Sequence, residues 1–536
     1  MVLGQPRNGP HPLPPLPRCG RGGEASWTAL TIKIRKHMTI LICNIGGRDL
    51  ACSGLPKHEL GERAWAAALA ERYAALRPML RLPILGKALR ALAAQEVALD
   101  ALILVASDQP APALGAEQHS FWRTDTGPTA HLIARLLAEG AQDVPRVPAE
   151  RVQVWTLADE HGVGVDPSDY DLALAYLERR LAALAQAHPA GPVLLEVAGG
   201  TPAMTTALLI AGVEVFGARA EALAIHPQRT APSTLGVGRR LLAAPLRATL
   251  RSHAATFAYD AALRTLVAQR EAIADRLAPG AAASAEALLR YAYARYNFDF
   301  VGAREAGSGK REAGSGKREA RVLGDGSPWD SEWEVLVAQV TAPDRAALLA
   351  EVLHGAEARY ATGLYADFLT QLVRFEENAL RMLCLARGVA FVRRDDGSPD
   401  DDGSLISRAW LREQPFQLKQ DYDDGRDRPN SRTLMRELVG HLARERGEAL
   451  RPLLDALDRL RPLVYLRNDT THSLDGLRQV DLARRFTTRQ RAAAHEANQI
   501  LPHLKQLYTS VTGQPLPASP FPVINGLLDR LLVVGG

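Results

Sequence analysis

The sequence predicts a two-part fold: an α/β half built on a mostly parallel sheet, then a helical connector and an all-α half. Three observations carry this. Between residue 38 and about 239, short apolar runs alternate with helical patterns of crossover length, the signature of βαβ units. Beyond that point apolar residues return at three- and four-residue steps, the period of helices with one buried face. The chain of 536 residues is long enough for two to four domains.

Bulk composition narrows the class. Hydrophobic content of 47% and charged content of 23% are those of an ordinary globular protein. A net charge of +4 gives no field that would label a nucleic-acid binder. Arginine exceeds lysine, but alanine and leucine are also abundant, which fits GC-rich coding better than RNA binding. Cys19, Cys43, Cys52 and Cys384 form no C-x-x-C pair, which argues against a zinc site or a disulfide framework and for a reducing cytoplasm. No run approaches the ~18 apolar residues of a membrane span. Residues 1–37 are rich in Pro, Gly and Arg and lack an apolar signal core. They read as a disordered or non-native extension, with a natural start at Met38.

In the α/β half, strand-like runs fall at 39–44, 101–106, 151–157, 193–198 and 219–225, with helical patterns such as Leu60–Leu80 and His131–Glu139 between them. In such sheets ligands bind beyond the carboxyl ends of the strands. The first strand runs into Asn44-Ile45-Gly46-Gly47-Arg48-Asp49. Two glycines allow close backbone approach, and Arg48 offers a fork of donors. The second strand ends in Ser107-Asp108-Gln109, and the fourth in Gly199-Gly200-Thr201-Pro202-Ala203-Met204 before an apolar helix. Thr201 suits an N-cap and Pro202 the first helical position, so the glycines precede a helix N-terminus that attracts anions. Each loop also reads as a plain tight turn. His119, Trp122, Thr124 and Asp125 are candidates for the rim. G-x-G-x-x-G is absent, so a dinucleotide fold has no direct support.

Residues 240–345 read as a helical connector, with periods over Leu241–Leu250, Ala258–Leu277 and Ala285–Tyr296. Within it, Arg304-Glu305-Ala306-Gly307-Ser308-Gly309-Lys310 repeats at 311–317 and restarts at Arg318. The Gly-x4-Gly-Lys spacing of a phosphate loop is not met, so 304–321 reads as a low-complexity flexible loop. Residues 346–536 read as helical. Leu364, Phe368, Leu372, Phe375, Ala379 and Leu383 build one buried face, with Glu376 and Glu377 solvated or paired with arginine. The acidic stretch 395–404 lacks the spacing of a calcium loop. Leu450–Leu466 and Arg489–Val511 are further helices.

Tyr465-Leu466-Arg467-Asn468-Asp469-Thr470-Thr471-His472 closes the Leu450–Leu466 helix. With 14 histidines in the chain, Arg-x4-His alone arises about 1.5 times by chance, and requiring Asn after Arg lowers this to roughly 0.02. Arginine can grip a phosphate bidentately and stabilise its charge. Histidine can move a proton near neutral pH. RNA supplies its own nucleophile, the 2′-hydroxyl, so Arg467, Asn468 and His472 suffice for cleavage without a metal. Residues 467 and 472 do not share a face of an ideal helix, so we expect a helix break in Asn468–Thr471. The bland alternative is a helix-end arginine paired with Asp469 and a surface histidine.

Taken together, Asn44–Asp49, Ser107–Gln109, Gly199–Met204 and Arg467–His472 resemble the type III CRISPR-associated ribonucleases that join a CARF sensor to a HEPN nuclease, the Csm6/Csx1-like family. The resemblance covers 38–536. It implies a Rossmann-like CARF domain over 38–239, the connector over 240–345 and a HEPN domain over 346–536. It implies a homodimer, a single-stranded RNA substrate, and a cyclic oligoadenylate as allosteric activator, with cyclic tetra-adenylate favoured over hexa-adenylate. It implies no required cofactor and no stable association with the CRISPR effector complex that makes the activator. The activator would sit on Asn44, Gly46, Gly47, Arg48, Asp49, Ser107, Asp108, Gln109, Gly199, Gly200, Thr201, Pro202 and Met204. Some relatives degrade their own activator, for which Asn44 and Thr201 are candidates. Rival readings are a CARF-type regulator without nuclease activity and an RNase toxin answering another nucleotide.

Overall fold

The computed structural model describes residues 39–57, 61–112, 121–141, 144–225, 231–308, 330–393, 398–400, 405–415, 428–429, 431–472, 476–486 and 499–533. The extension 1–37, His119 and most of the heptad repeat lie outside them. The chain forms two units. One comprises the chain up to Pro167 with His188–Thr201 and Leu223–Ser233. The other comprises Ser168–Ala187, Pro202–Ala222 and everything from Thr234.

The strands form where their apolar runs lie: β1 Thr39–Asn44, the short β2 Ala51–Cys52 and β3 Leu80–Arg81, β4 Leu99–Ser107, β5 Val152–Leu157, β6 Val193–Glu196, β7 Ala220–Ala224 and β8 Ser233–Leu235. The main sheet has the order β5-β4-β1-β6-β7-β8, and β4–β5, β1–β4 and β1–β6 are parallel pairs. All six residues of β1 are buried, as expected of a strand covered on both faces. Leu41, Cys43, Leu102 and Leu104 share one core with Trp65 and Leu69 of the helix Glu62–Glu71, Leu89 and Leu92 of Leu85–Ala94, and Ile133 and Leu136 of Gly127–Glu139. The two-residue strands β2 and β3 pair antiparallel. They and β8 are too short to show a period in the sequence.

The second unit is helical apart from strand residues of β7 and β8 and three two-residue strands at 391–392, 405–406 and 428–429. One core joins Val237–Ala255, Tyr259–Ala268, Ala281–Tyr296 and Asp330–Thr341 to a C-terminal helix, Pro520–Leu531, that the sequence reading lacked. Arg304–Ser308 of the repeat region is helical rather than loop. The helical period there outlasts the low-complexity composition: Ala303 is buried, and Arg304 donates to the Thr341 carbonyl at 3.1 Å.

A second core is built on Tyr365–Leu385, whose Phe368, Leu372, Phe375, Ala379 and Leu383 are buried as the three- and four-residue steps require. Glu376 pairs with Arg432 at 3.1 Å and Glu377 with the same arginine at 3.8 Å. Between these cores lies a buried charge cluster. Arg295 is 2% exposed; it forms an ion pair with Glu351 and donates to Tyr291 and Gln339.

Candidate functional site

The loops after β1 and β6 interlock. Past Asn44 the chain turns so that the Gly46 N–H donates to Asp49 Oδ2 at 2.7 Å and the Asp49 N–H to the Gly46 carbonyl at 3.1 Å. The Gly47 carbonyl accepts from Lys57 Nζ at 2.6 Å. Across from it, the Ala198 N–H donates to Glu196 Oε1 at 2.6 Å. A Cβ on Gly199 would lie 2.0 Å from the Asn44 carbonyl oxygen, and one on Gly46 would lie 2.8 Å from the Gly200 nitrogen. Gly200 has φ +77°, open to glycine at little cost. The glycines are therefore required by backbone-on-backbone contact, beyond any turn. Pro202 opens the following helix as its chemistry requires, while the Thr201 hydroxyl donates to the Pro167 carbonyl.

Beside these loops opens a cleft of about 910 Å³, lined by Arg48, Arg81, Lys87, Arg90 and Ala198 with apolar Leu82, Pro83, Ile84, Val144 and Ile225. Its charged lining is all cationic. Four cations around an apolar floor suit a ligand with phosphates and planar bases. Arg48 follows the carboxyl end of β1, and Ala198 that of β6, where an open α/β sheet takes its ligands.

Arg81, Lys87 and Arg90 were missed in the sequence reading, which gave residues 81–98 no role. A signal was present: Lys87 and Arg90 are three apart on the helix Leu85–Ala94, on neighbouring positions of one face.

Ser107, Asp108 and Gln109 are engaged in holding the neighbouring loop. Ser107 and Thr126 exchange bonds, 3.2 Å from the Ser107 N–H to Thr126 Oγ1. Gln109 bonds Asp125 through its N–H at 2.7 Å and its side-chain amide at 3.0 Å. Arg63 joins Asp108 to Asp125 and lies over the Trp122 ring at 4.7 Å. These three residues do not line the cleft, and neither does Met204, which is buried. Asp125 and Trp122 thus fix a loop rather than rim the cleft.

Beneath the cleft loops is a buried polar group. Asn44 is fully buried, and Asp49 and Glu196 are each 1% exposed. Burial, with Glu62 adding to it against the Gly46 N–H and Lys57, pushes the Asp49 carboxyl up to about 7. Burial and the nearby Asp49 charge push Glu196 up to about 8 against the N–H groups of Ala198 and Gly199.

In the helical unit the expected break in the motif is absent. One helix runs from Arg461 to His472 without interruption. Buried Leu463, Val464 and Leu466 anchor it, and no Gly or Pro follows Pro462 within it to stop it, so tertiary packing overrides the capping preference of Asn and Thr. Positions 467 and 472 are then about 140° apart, whereas 468 and 472 are one turn apart on one face. Arg467 is half-buried and Asn468 exposed, with Arg467 Nη1 3.3 Å from Asn468 Oδ1. Asp469 faces Arg485 at 3.7 Å. The side chains of Thr470, Thr471 and His472 lie outside the described residues.

The mostly parallel α/β sheet followed by a helix-rich C-terminal region is an architecture this chain shares with a solved structure. Among solved structures it is similar to Enterococcus italicus Csm6 bound to cyclic hexa-2′-fluoro-hexa-dAMP, over 92% of this chain and 99% of that one, with 12% identity and a TM-score of 0.56. The likeness is one of fold. No protein-family model and no curated protein sequence matches the chain. Among the described residues, no helix is long and apolar enough to cross a membrane.

Proposed function

We propose that this protein is an endoribonuclease switched on by a cyclic oligoadenylate, acting in type III CRISPR defence. The observation that carries the reading is the cationic, apolar-floored cleft at the interlocked glycine loops, in a chain that shares its fold with Csm6 over nearly its whole length. Arg48, Arg81, Lys87 and Arg90 hold the activator's phosphates, and the backbone of Gly46, Gly47, Gly199 and Gly200 approaches it closely. We favour the tetra-adenylate ring over the hexa-adenylate.

The unbroken helix refines the nuclease half. A single chain sets positions 467 and 472 about 140° apart. A site with both groups at one phosphate is therefore best made from two copies, which supports a homodimer with a composite centre. There Arg467 binds the scissile phosphate of single-stranded RNA and Asn468 orients it. His472 accepts the 2′-hydroxyl proton as that oxygen bonds to phosphorus. The P–O5′ bond breaks and the 5′ oxygen is protonated, leaving a 2′,3′-cyclic phosphate and a 5′-hydroxyl. No step calls for a metal.

The test mixes purified protein with labelled single-stranded RNA in EDTA, with cyclic tetra-adenylate, cyclic hexa-adenylate or neither. Cleavage with one ring and none without is the expected result. A requirement for magnesium, or an equal rate without either ring, overturns the reading.

A further inference from the structure

The buried carboxylates beneath the cleft pose a physical problem. Glu196 ends β6, in register with Cys43 of β1, and Asp49 lies in the loop that follows β1. Both are almost fully buried, and each holds a loop of the cleft through backbone N–H groups. The two loops meet at Asp49 itself, since a Cβ on Gly199 would come within 2.8 Å of its Oδ2. Yet the cleft above is built of cations and suits an anion. Two ionised carboxylates there would repel the ligand that the rim attracts, in a medium that screens weakly. The protein's own compensation is thin. Lys57 is the cation facing Asp49, and it pairs with Glu62, itself a further negative charge on the helix packed beside it. Glu196 Oε2 has no hydrogen-bond partner among the described residues, so no donor there stabilises a charge on it. Burial pushes the Cys43 thiol well up, and any charge on Glu196 or Asp49 pushes it further, so the thiol offers no compensation.

We propose that Asp49 and Glu196 are a proton-storing pair that positions the two glycine loops, so that a polyanionic ligand enters the cleft together with protons. The proposal rests on the activator reading above, and deepens it by coupling ligand affinity to pH. With carboxyls at about 7 and about 8 in the free protein, the coupling falls in the neutral range. Each proton taken up with the ligand steepens the dependence by as much as tenfold in affinity per pH unit.

Binding of cyclic tetra-adenylate and of cyclic hexa-adenylate is measured from about pH 6 to about pH 9 at constant ionic strength, by calorimetry in two buffers of different ionisation enthalpy. The expected result is an affinity roughly tenfold weaker at pH 8.5 than at pH 6.5, with net proton uptake at pH 7.5. Asp49→Asn and Glu196→Gln, which keep the acceptor oxygens for Gly46 and Ala198, flatten the profile. Profiles that run parallel in wild type and variants, or proton release on binding, overturn the proposal.

Thermal unfolding without ligand separates the pair from the activator. Both carboxyls are raised above the ordinary range near 4, so the folded state holds protons that the unfolded state gives up. Stability falls as pH rises from about 4 to about 8 and then levels; Asp49→Asn and Glu196→Gln lose their share of that slope. If neither ring binds at any pH, the activator reading and the linkage both fall while the slope still reports the pair. If the slope is the same in wild type and variants, the pair falls whatever binds.

Discussion

In the loops after β1 and β6 the candidate functional groups are backbone amides and buried side chains, fixed by contacts that leave no room for a Cβ. In the helix Arg461–His472 they are side chains on a surface: Asn468 and Asp469 are exposed and Arg467 half-buried. The first region is fixed by contacts within one chain. In the second, positions 467 and 472 stand about 140° apart on one helix, and under the proposal above a second copy supplies the missing side. Under that proposal ligand binding rests on a fixed backbone and catalysis on side chains that need a partner. Such a division would suit a switched enzyme, in which the part that reads a small molecule is preorganised and the part that stays silent is incomplete.

The sharpest way to break this contrast is at the motif. His472→Ala should lower RNA cleavage by about 10²- to 10⁴-fold, the range of general acid–base catalysis, with activator affinity unchanged in a filter-binding titration. A mixed dimer of His472→Ala and Arg467→Ala chains tests the composite centre directly. If one intact pair forms across the interface, mixing the two inactive variants restores part of the activity. Mixtures that stay as inactive as their parents place both groups at one site within a single chain.

How much of this was legible in the sequence differs between the regions for a physical reason. β1, β4, β5, β6 and β7 sit on the apolar runs expected of them; β1 and β6 are buried along their whole length and so read as near-continuous apolar runs. The glycine loops were legible because only glycine tolerates such approach. Arg81, Lys87 and Arg90 were not: the three-residue spacing of Lys87 and Arg90 puts two cations on one helix face, but such a pair carries no sign of what lies across the cleft. The helix through 467–472 was misjudged because Asn-Asp-Thr-Thr is capping chemistry locally, and the packing of Leu463, Val464 and Leu466 that overrules it is tertiary. The C-terminal helix Pro520–Leu531 returns to the core of the connector, a long-range contact that no local period announces.

Gly199→Ala puts a methyl group 2.0 Å from a backbone oxygen, which cannot be relieved by moving a side chain. A loss of about 1–3 kcal/mol in stability, the range of overpacking, is expected in urea unfolding. The variant should also need more activator. An unchanged denaturation midpoint would mean that the two loops are not interlocked. Next in size, Lys87→Ala with Arg90→Ala should raise the half-activating concentration roughly tenfold, the equivalent of about 1.4 kcal/mol, and leave the rate at saturating activator unaltered. A fall in the saturating rate alone would move these cations out of the cleft's binding role.

The smallest effect belongs to the exposed side. Asp469 and Arg485 face each other at 3.7 Å with more than half of each side chain in solvent, a geometry in which Coulomb attraction is largely screened. Arg485→Ala should therefore leave the urea midpoint of the free protein in place. Its cleavage rate should also stay within about twofold of wild type if Asp469 only solvates the helix. The informative result would be a change in rate without a change in stability. That would mean Asp469 acts on the neighbouring Arg467 or on the RNA once its own partner is removed. The motif would then reach one residue further than the three groups assigned to it.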